Sequence, residues 1–368
     1  MLVDVTQRLN REIDRTAFRL RNGIKHFRGV DQAEVGPSPR RLVWSRDKVR
    51  LYRYVSPTSH QTRARPLLLV MSLVTTPLVF DLQSGNSLIE RLVDDGHTVY
   101  LIDWGIPDEI EAFNTLQTYC DDYIPRAVGA VVDDAHCADV TLFGYCLGAV
   151  FSLLSVAAHP QIRVADLVLL ATPVDFTRMD PLSNILRNER LEVDDLLDET
   201  GNLPSSTMLE AFRMVEPVGE VVTYLNLWNS LSDPDRLAAH QALIRWSSGH
   251  IPFPGTVLRQ IVDLFIRDDA LVRGVVPLNG RQIDLHTITR PVLSVLGSND
   301  RLVPPASSAP LPEVLAGAQL KTIELTAGHA GLFVGRKAHN QLIPAVLEWL
   351  DTSNPRTPFS ERSHHADA

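Results

Sequence analysis

The segment Phe143-Gly144-Tyr145-Cys146-Leu147-Gly148-Ala149 places a thiol between two glycines. It follows a strand-like run, Val140–Phe143, and precedes an apolar helical run, Val150–Ala158. This is G-x-C-x-G, the cysteine form of the nucleophile elbow. The nucleophile of such an elbow occupies a strained strand-to-helix turn, where a side chain at Gly144 or Gly148 would crowd the neighbouring backbone. The helix N-terminus that follows favours a thiolate, and the Leu147 amide can donate to a developing oxyanion. A second donor is expected from the loop after the strand Leu67–Leu73, near Val74. Taken alone, Cys146 is equally well a small buried hydrophobe.

A thiol of this kind needs a base and a group that orients the base. In chain order the fold should supply nucleophile, then acid, then histidine, the last two after late strands. Asp300 follows the strand Val292–Leu296 in VLGSNDRLVPP, and His329 follows Leu320–Leu325 in ELTAGHAGLFVG. His329 is the candidate general base, and Asp300 the group that orients its ring and stabilises the imidazolium. An isolated Asp or His is usually a solvated loop residue; three coincidences with one topology argue otherwise here. His97, His136 and His250 have no nucleophile paired with them in sequence, and Cys120 and Cys137 have no elbow. All five read as structural, and Trp228 and Trp246 read as packing residues.

The elements that must position these groups are short β-branched runs alternating with helical stretches: Val49–Tyr54, Leu67–Leu73, Thr98–Ile102, Val140–Phe143, Leu167–Leu170, Val292–Leu296 and Leu320–Leu325. Such alternation predicts an α/β protein with a mostly parallel central sheet wrapped by helices, the α/β-hydrolase fold once the elbow is included. The long stretch 172–290 exceeds any ordinary connection and predicts an inserted cap over the carboxyl ends of the strands. Residues 49–171 and 291–350 then form the hydrolase core. Residues 1–48 form an N-terminal arm, helical over about 5–28 where Val5, Leu9, Ile13, Leu20, Ile24 and Phe27 recur between arginines. The tail 351–368 has almost no apolar content and is expected to be disordered.

Composition bounds the partners. The 368 residues carry a formal net charge of −9, with 45% hydrophobic and 21% charged residues, the balance of an ordinary globular protein without the basic footprint that nucleic-acid binding needs. Three cysteines form no CxxC pair, so neither a disulfide framework nor a metal site is suggested. The first residues lack an apolar signal core, and the apolar run Pro66–Phe80 is too short and interrupted to span a bilayer. A cytoplasmic protein without cofactor, metal or transmembrane segment is the expectation.

A cysteine nucleophile suits exchange with thioesters, because attack on a CoA thioester interconverts two thioesters of similar energy. Whether water or another hydroxyl then takes the acyl group is not decided by the elbow. Further stretches add to the argument: Tyr100-Leu-Ile-Asp-Trp-Gly105 with Pro107, Thr172-Pro-Val-Asp-Phe176, Asn279-Gly-Arg-Gln-Ile-Asp-Leu285, Asp300–Pro305 and Gly328–Gly331. With the elbow, these resemble the polyhydroxyalkanoate synthases, in particular the short-subunit type, over about residues 50–350. Three departures from that pattern are Ala149 where a glycine is usual, Thr75-Thr76 where Asn-Arg is usual, and Arg301 where a histidine follows the acid. The resemblance implies 3-hydroxyacyl-CoA substrates polymerised into a polyester with release of CoA, through an acyl-Cys146 intermediate. It also implies a second, non-catalytic subunit or self-association, and the surface of a polyester granule as a place of work. The alternative is a hydrolase of thioesters or esters, such as a thioesterase or a dienelactone-hydrolase-like enzyme, since the latter family also shows a GYCLG-type elbow on a shorter chain.

Overall fold

The structure, a computed structural model, describes residues 36–54, 63, 65–187, 192–215, 234–247, 249–334 and 338–353. The helix read over 5–28, Trp228 and the tail beyond 353 lie outside the described residues. Central-sheet strands and α-helices of seven or more residues are numbered below in chain order.

The eight strands of the central sheet are β1 (Arg40–Arg46), β2 (Val49–Tyr54), β3 (Leu67–Val70), β4 (Val99–Asp103), β5 (Val140–Tyr145), β6 (Val164–Leu170), β7 (Val292–Gly297) and β8 (Leu320–Leu325). Their order is β1-β2-β4-β3-β5-β6-β7-β8. β1 pairs antiparallel with β2, and β2 with β4; every pairing from β4 onward is parallel. The α/β-hydrolase expectation is met. β3 and β5 read as continuous apolar runs because both faces of a parallel strand are covered, and every residue of both is buried. Two boundaries move. The sheet starts at Arg40, ahead of the expected arm boundary at residue 49, because β1 forms a hairpin with β2 across Asp47, which adopts a positive φ. β3 ends at Val70 instead of running to Leu73.

The order reverses at β3: the chain leaves β3 toward β4 on one side and returns past it to β5 on the other. The crevice at the carboxyl ends of β3 and β5 is therefore the topological switch point, where ligands bind in open α/β sheets. α1 (Leu88–Asp94) leads from β3 to β4, capped by the Ser87 hydroxyl on the Glu90 amide at 3.0 Å. α2 (Ile124–Ala135) leads from β4 to β5 and buries Ile124, Ala127, Val128, Val131 and Val132, the i, i+3, i+4 stripe of a helix lying on a sheet. α3 (Leu147–Ala158) follows β5 directly and is buried on every face from Leu147 to Val156.

A helix apolar all round needs cover on its outward side as well. That cover comes from within the expected cap, 172–290. From Val257 to Ile288 the chain packs into the same core as α3, through Ile261, Phe265, Val276 and Leu285 among others. Phe176, Val193, Leu203, Met208 and Phe253, earlier in 172–290, join that core as well. The described α-helices of 172–290 with seven or more residues are α4 (Ser205–Val215) and α5 (Pro234–Ser247). α5 turns Ala242 and Trp246, one helical turn apart, toward the core on the opposite face of the sheet, which also holds Tyr145 and Cys146. The last helix, α6 (Ile343–Ser353), carries on through residues 351–353, past the expected start of the tail. Among the described residues no helix is long and apolar enough to cross a membrane.

Arg65 ties the lower edge of the sheet together. Its Nε donates to Asp139 at 2.6 Å, and its guanidinium also reaches the Asp166 carboxylate at 2.9 Å and the Ser353 carbonyl at 2.8 Å. Asp166 is almost fully buried, and that burial raises its pKa despite the arginine. Replacing Arg65 by Met leaves the carboxyl without its compensating charge, a loss of about 3 kcal/mol or more. With the charge gone the Asp166 pKa rises further, so the neutral acid is tolerated at low pH while the anion is not. Urea unfolding of Arg65→Met should show a larger stability deficit at pH 8 than at pH 5; an equal deficit at both would contradict the account.

Candidate active site

Cys146 stands at the junction of β5 and α3 with φ 54° and ψ −122°, a backbone conformation that costs a non-glycine residue energy. The turn is held by its neighbours. The Cys146 amide donates to the Leu170 carbonyl on β6 at 2.9 Å, and the Cys146 carbonyl accepts from Ala149 at 2.9 Å. A Cβ on Gly144 would lie 2.5 Å from the Ala149 Cα, and one on Gly148 would collide with the Val70 carbonyl oxygen and lie 2.7 Å from that of Met71. The two glycines are therefore required by contact, as the motif predicts. They bring the first turn of α3 against the end of β3. Cys146 itself keeps 8% of its surface accessible.

Asp300 sits in the turn after β7, its Oδ1 accepting the amides of Leu302 at 2.9 Å and Val303 at 2.8 Å. Its Oδ2 accepts from Nδ1 of His329 at 2.7 Å. The two loops are locked to each other through backbone: Ser298 donates to Leu325 at 2.8 Å and Asn299 to Ala327 at 3.0 Å. Gly297 permits this approach, since a Cβ there would lie 2.6 Å from the Ala327 oxygen. The His329 ring retains 16% of its accessible surface, against none for the Asp300 side chain, so the acid is shielded while the base can still be reached. Burial works against a charged ring, but the Asp300 carboxylate, its hydrogen bond, and the Cys146 sulfur opposite outweigh it and push the His329 pKa up to about 10. The structure thus brings together all three residues named from the sequence. An imidazole held by a carboxylate on one nitrogen, with a sulfur facing it on the other side, can take the proton of that sulfur and return it.

The amide of Leu147 is the first of α3, where helix geometry leaves the N–H without an intrahelical acceptor. Val74 lies in the loop after β3, packed at the edge of the core. Among the described residues neither amide donates to another protein group. The Val74 loop is braced from the cap side. Trp246 donates its indole N–H to the Thr76 carbonyl at 3.1 Å, Ile251 donates its amide to the Val74 carbonyl at 3.2 Å, and Thr75 bridges to His250. Trp246 is accordingly a packing and bracing residue. Cys120 is fully buried, and burial pushes its thiol pKa well up; His97 is likewise buried. Neither joins the site. Among the described residues no group of three or more His, Cys, Asp or Glu side chains could hold a metal ion.

Tyr145 is a site residue that the sequence reading passed over. Its ring lies 4.8 Å from that of His329, tilted by 32°, and is itself edged by Phe333 at 4.5 Å and Phe80 at 6.3 Å. Its hydroxyl donates to the His329 carbonyl at 3.4 Å. The elbow fixes the neighbour of the nucleophile as firmly as the nucleophile, so the x position of G-x-C-x-G could have flagged it.

Comparison with known proteins matches the chain over residues 66–336 to the family model described as alpha/beta hydrolase fold. It is 33% identical to the poly(3-hydroxyalkanoate) polymerase subunit PhaC of Allochromatium vinosum, covering 94% of this chain and 97% of that one. It is 32% identical to the protein of the same name from Synechocystis sp., covering 95% and 94%. The chain belongs to the poly(3-hydroxyalkanoate) polymerase family. A solved carboxylesterase of the thaumarchaeon Nitrososphaera gargenis, 14% identical, superposes with a TM-score of 0.51 over 85% of this chain and 99% of that one, which speaks for the fold alone.

For this polymerase-family chain the charge on His329 is the most accessible electrostatic test. Asn in place of Asp300 keeps the shape but removes the charge that raises the ring's pKa, while burial continues to lower it. Titration of the ring by 15N NMR in Asp300→Asn should move from about 10 toward the ordinary histidine value of about 6.5. A ring that still titrates near its original value would show that Asp300 is not what holds the proton there.

Proposed function

We propose that the protein is an acyltransferase that polymerises 3-hydroxyacyl-CoA into polyhydroxyalkanoate with release of CoA, using Cys146, His329 and Asp300 as a catalytic triad. The observation that carries this reading is a strained thiol facing a carboxylate-held imidazole in a chain of the polymerase family. His329 accepts the proton of Cys146, and its raised pKa favours keeping that proton on the ring. The thiolate attacks the thioester carbonyl, and the oxyanion accepts hydrogen bonds from the amides of Leu147 and Val74. As the C–S bond to CoA breaks, His329 returns the proton to the departing thiolate, leaving an acyl-Cys146. A second substrate's 3-hydroxyl then gives its proton to His329 and attacks the acyl group, so an ester forms and the Cys146 thiolate is released.

Water would complete a hydrolysis in the same way, so the outcome turns on what reaches the acyl-enzyme. Trp246 of α5 and Ile251, seated on the Val74 loop, support a cap that restricts water. We place the enzyme in the cytoplasm at the polyester surface, working with a non-catalytic subunit or a second copy of itself, on the strength of the family resemblance.

Incubation with 3-hydroxybutyryl-CoA, with free CoA measured and products separated by size, tests this. CoA release with ester-linked oligomers is expected, and Cys146→Ala should lower it at least about a thousandfold. Stoichiometric free 3-hydroxybutyrate without oligomer would replace the polymerase reading with a thioesterase.

A further inference from the structure

Beside the Val74 loop lies a buried polar pair that the chemistry above does not use. Thr75 and His250 face each other across an isolated antiparallel bridge. The flanking bond, from the Ile251 amide to the Val74 carbonyl, makes them a non-hydrogen-bonded pair, the kind in which Cα atoms approach to about 4.5 Å and side chains point to one side. The Thr75 hydroxyl and both ring nitrogens of His250 are shut off from solvent; the hydroxyl has no hydrogen-bond partner among the described residues, nor has that of Ser72 three positions earlier in the loop, and the His250 ring has at most a weak contact to the Ser247 carbonyl. Buried polar groups are ordinarily satisfied, and each one left alone costs free energy. The His250 ring meets that of Phe212 of α4 edge to face, centroids 4.8 Å apart. Burial lowers the pKa of His250, an effect the Ser247 carbonyl offsets only in part, which favours the neutral ring with one nitrogen as donor and the other as acceptor.

The position of the pair points to what it would bind. Thr75 adjoins Val74, whose amide is the proposed oxyanion donor, and the backbone of Met71 in the same loop touches the first turn of α3 at Gly148. The pair therefore belongs to the loop that would flank the thioester carbonyl, and a 3-hydroxyl is only two carbons from that carbonyl. A subsite of one hydroxyl and one neutral imidazole has no charge with which to select a phosphate or a carboxylate. It matches a neutral group that both donates and accepts, with apolar surroundings.

We propose that Thr75 and His250 form the subsite that receives the 3-hydroxyl of the substrate acyl group, making them specificity residues that distinguish 3-hydroxyacyl thioesters from plain acyl thioesters. The inference rests on the function proposed above. Without substrate the pair is left unsatisfied; the 3-hydroxyl completes it, and an acyl chain lacking that hydroxyl does not, which is the situation in which a protein rejects the analogue.

The test is single-turnover acylation of the full chain by 3-hydroxybutyryl-CoA and by butyryl-CoA, with intact-protein mass as readout. The wild type should be acylated by the hydroxylated substrate at least about tenfold faster. In Thr75→Val and His250→Leu that ratio should fall toward one. Thr75→Val should not lower the thermal midpoint of the free protein, since it removes an unpartnered hydroxyl, and this keeps the test decisive if His250→Leu folds poorly. A ratio unchanged in Thr75→Val overturns the proposal. So does an equal loss with both substrates, which would assign the pair to the pantetheine arm that the two share. No acylation of the wild type by either thioester would overturn the functional reading as well, whereas acylation with an undisturbed preference overturns the subsite alone.

Discussion

The site depends on one close approach, that of the first turn of α3 to the ends of β3 and β5. Gly148 meets the Val70 and Met71 carbonyls, and Gly144 meets Ala149, at distances no side chain tolerates. That contact forces the chain through a positive φ at Cys146, which lifts the thiol out of the sheet instead of continuing the strand. The energy stored there is offset by a helix buried along nearly its whole length; burying one large aliphatic side chain contributes about 1.5–3 kcal/mol. The elbow is thus strained locally and stabilised by packing at a distance.

The remaining parts of the site follow from the same geometry. With the nucleophile fixed above the crevice between β3 and β5, the base must come from the β7–β8 end of the sheet. There the Asp300 and His329 loops are joined by backbone bonds before their side chains meet. Tyr145, adjacent to Cys146, lies against the His329 ring and bonds to its backbone, so nucleophile and base are positioned through one aromatic contact. On the other flank the Val74 loop is braced by Trp246 and Ile251. Hydrogen bonds thus tie the segment at Trp246–Ile251 to the loop of the proposed oxyanion donor.

Local signals were enough to read much of this from the sequence. The elbow has a unique spacing, and Asp300 and His329 each follow a strand whose β-branched run is legible, so the three residues could be named with their order. The interior parallel strands β3 and β5 were legible because both their faces are buried. What sequence could not supply were relations between distant segments. The packing of parts of 172–290 against α3 depends on the outward face of that helix needing cover, and no local pattern shows which residues provide it. The strand β1, RRLVWSR, is largely exposed at a sheet edge, and its mixed composition, with three arginines in seven residues, hides it. His250 read as structural because its significance lies in Thr75 across the bridge, far away in the chain.

Mass spectrometry of the protein and of its Cys146 peptide, after brief exposure to 3-hydroxybutyryl-CoA and acid quench, addresses the covalent role of Cys146 most directly. The account predicts hydroxybutyryl units on Cys146, beginning with one and extending to a series. An unmodified Cys146 alongside released CoA, or acylation at another residue, would contradict it.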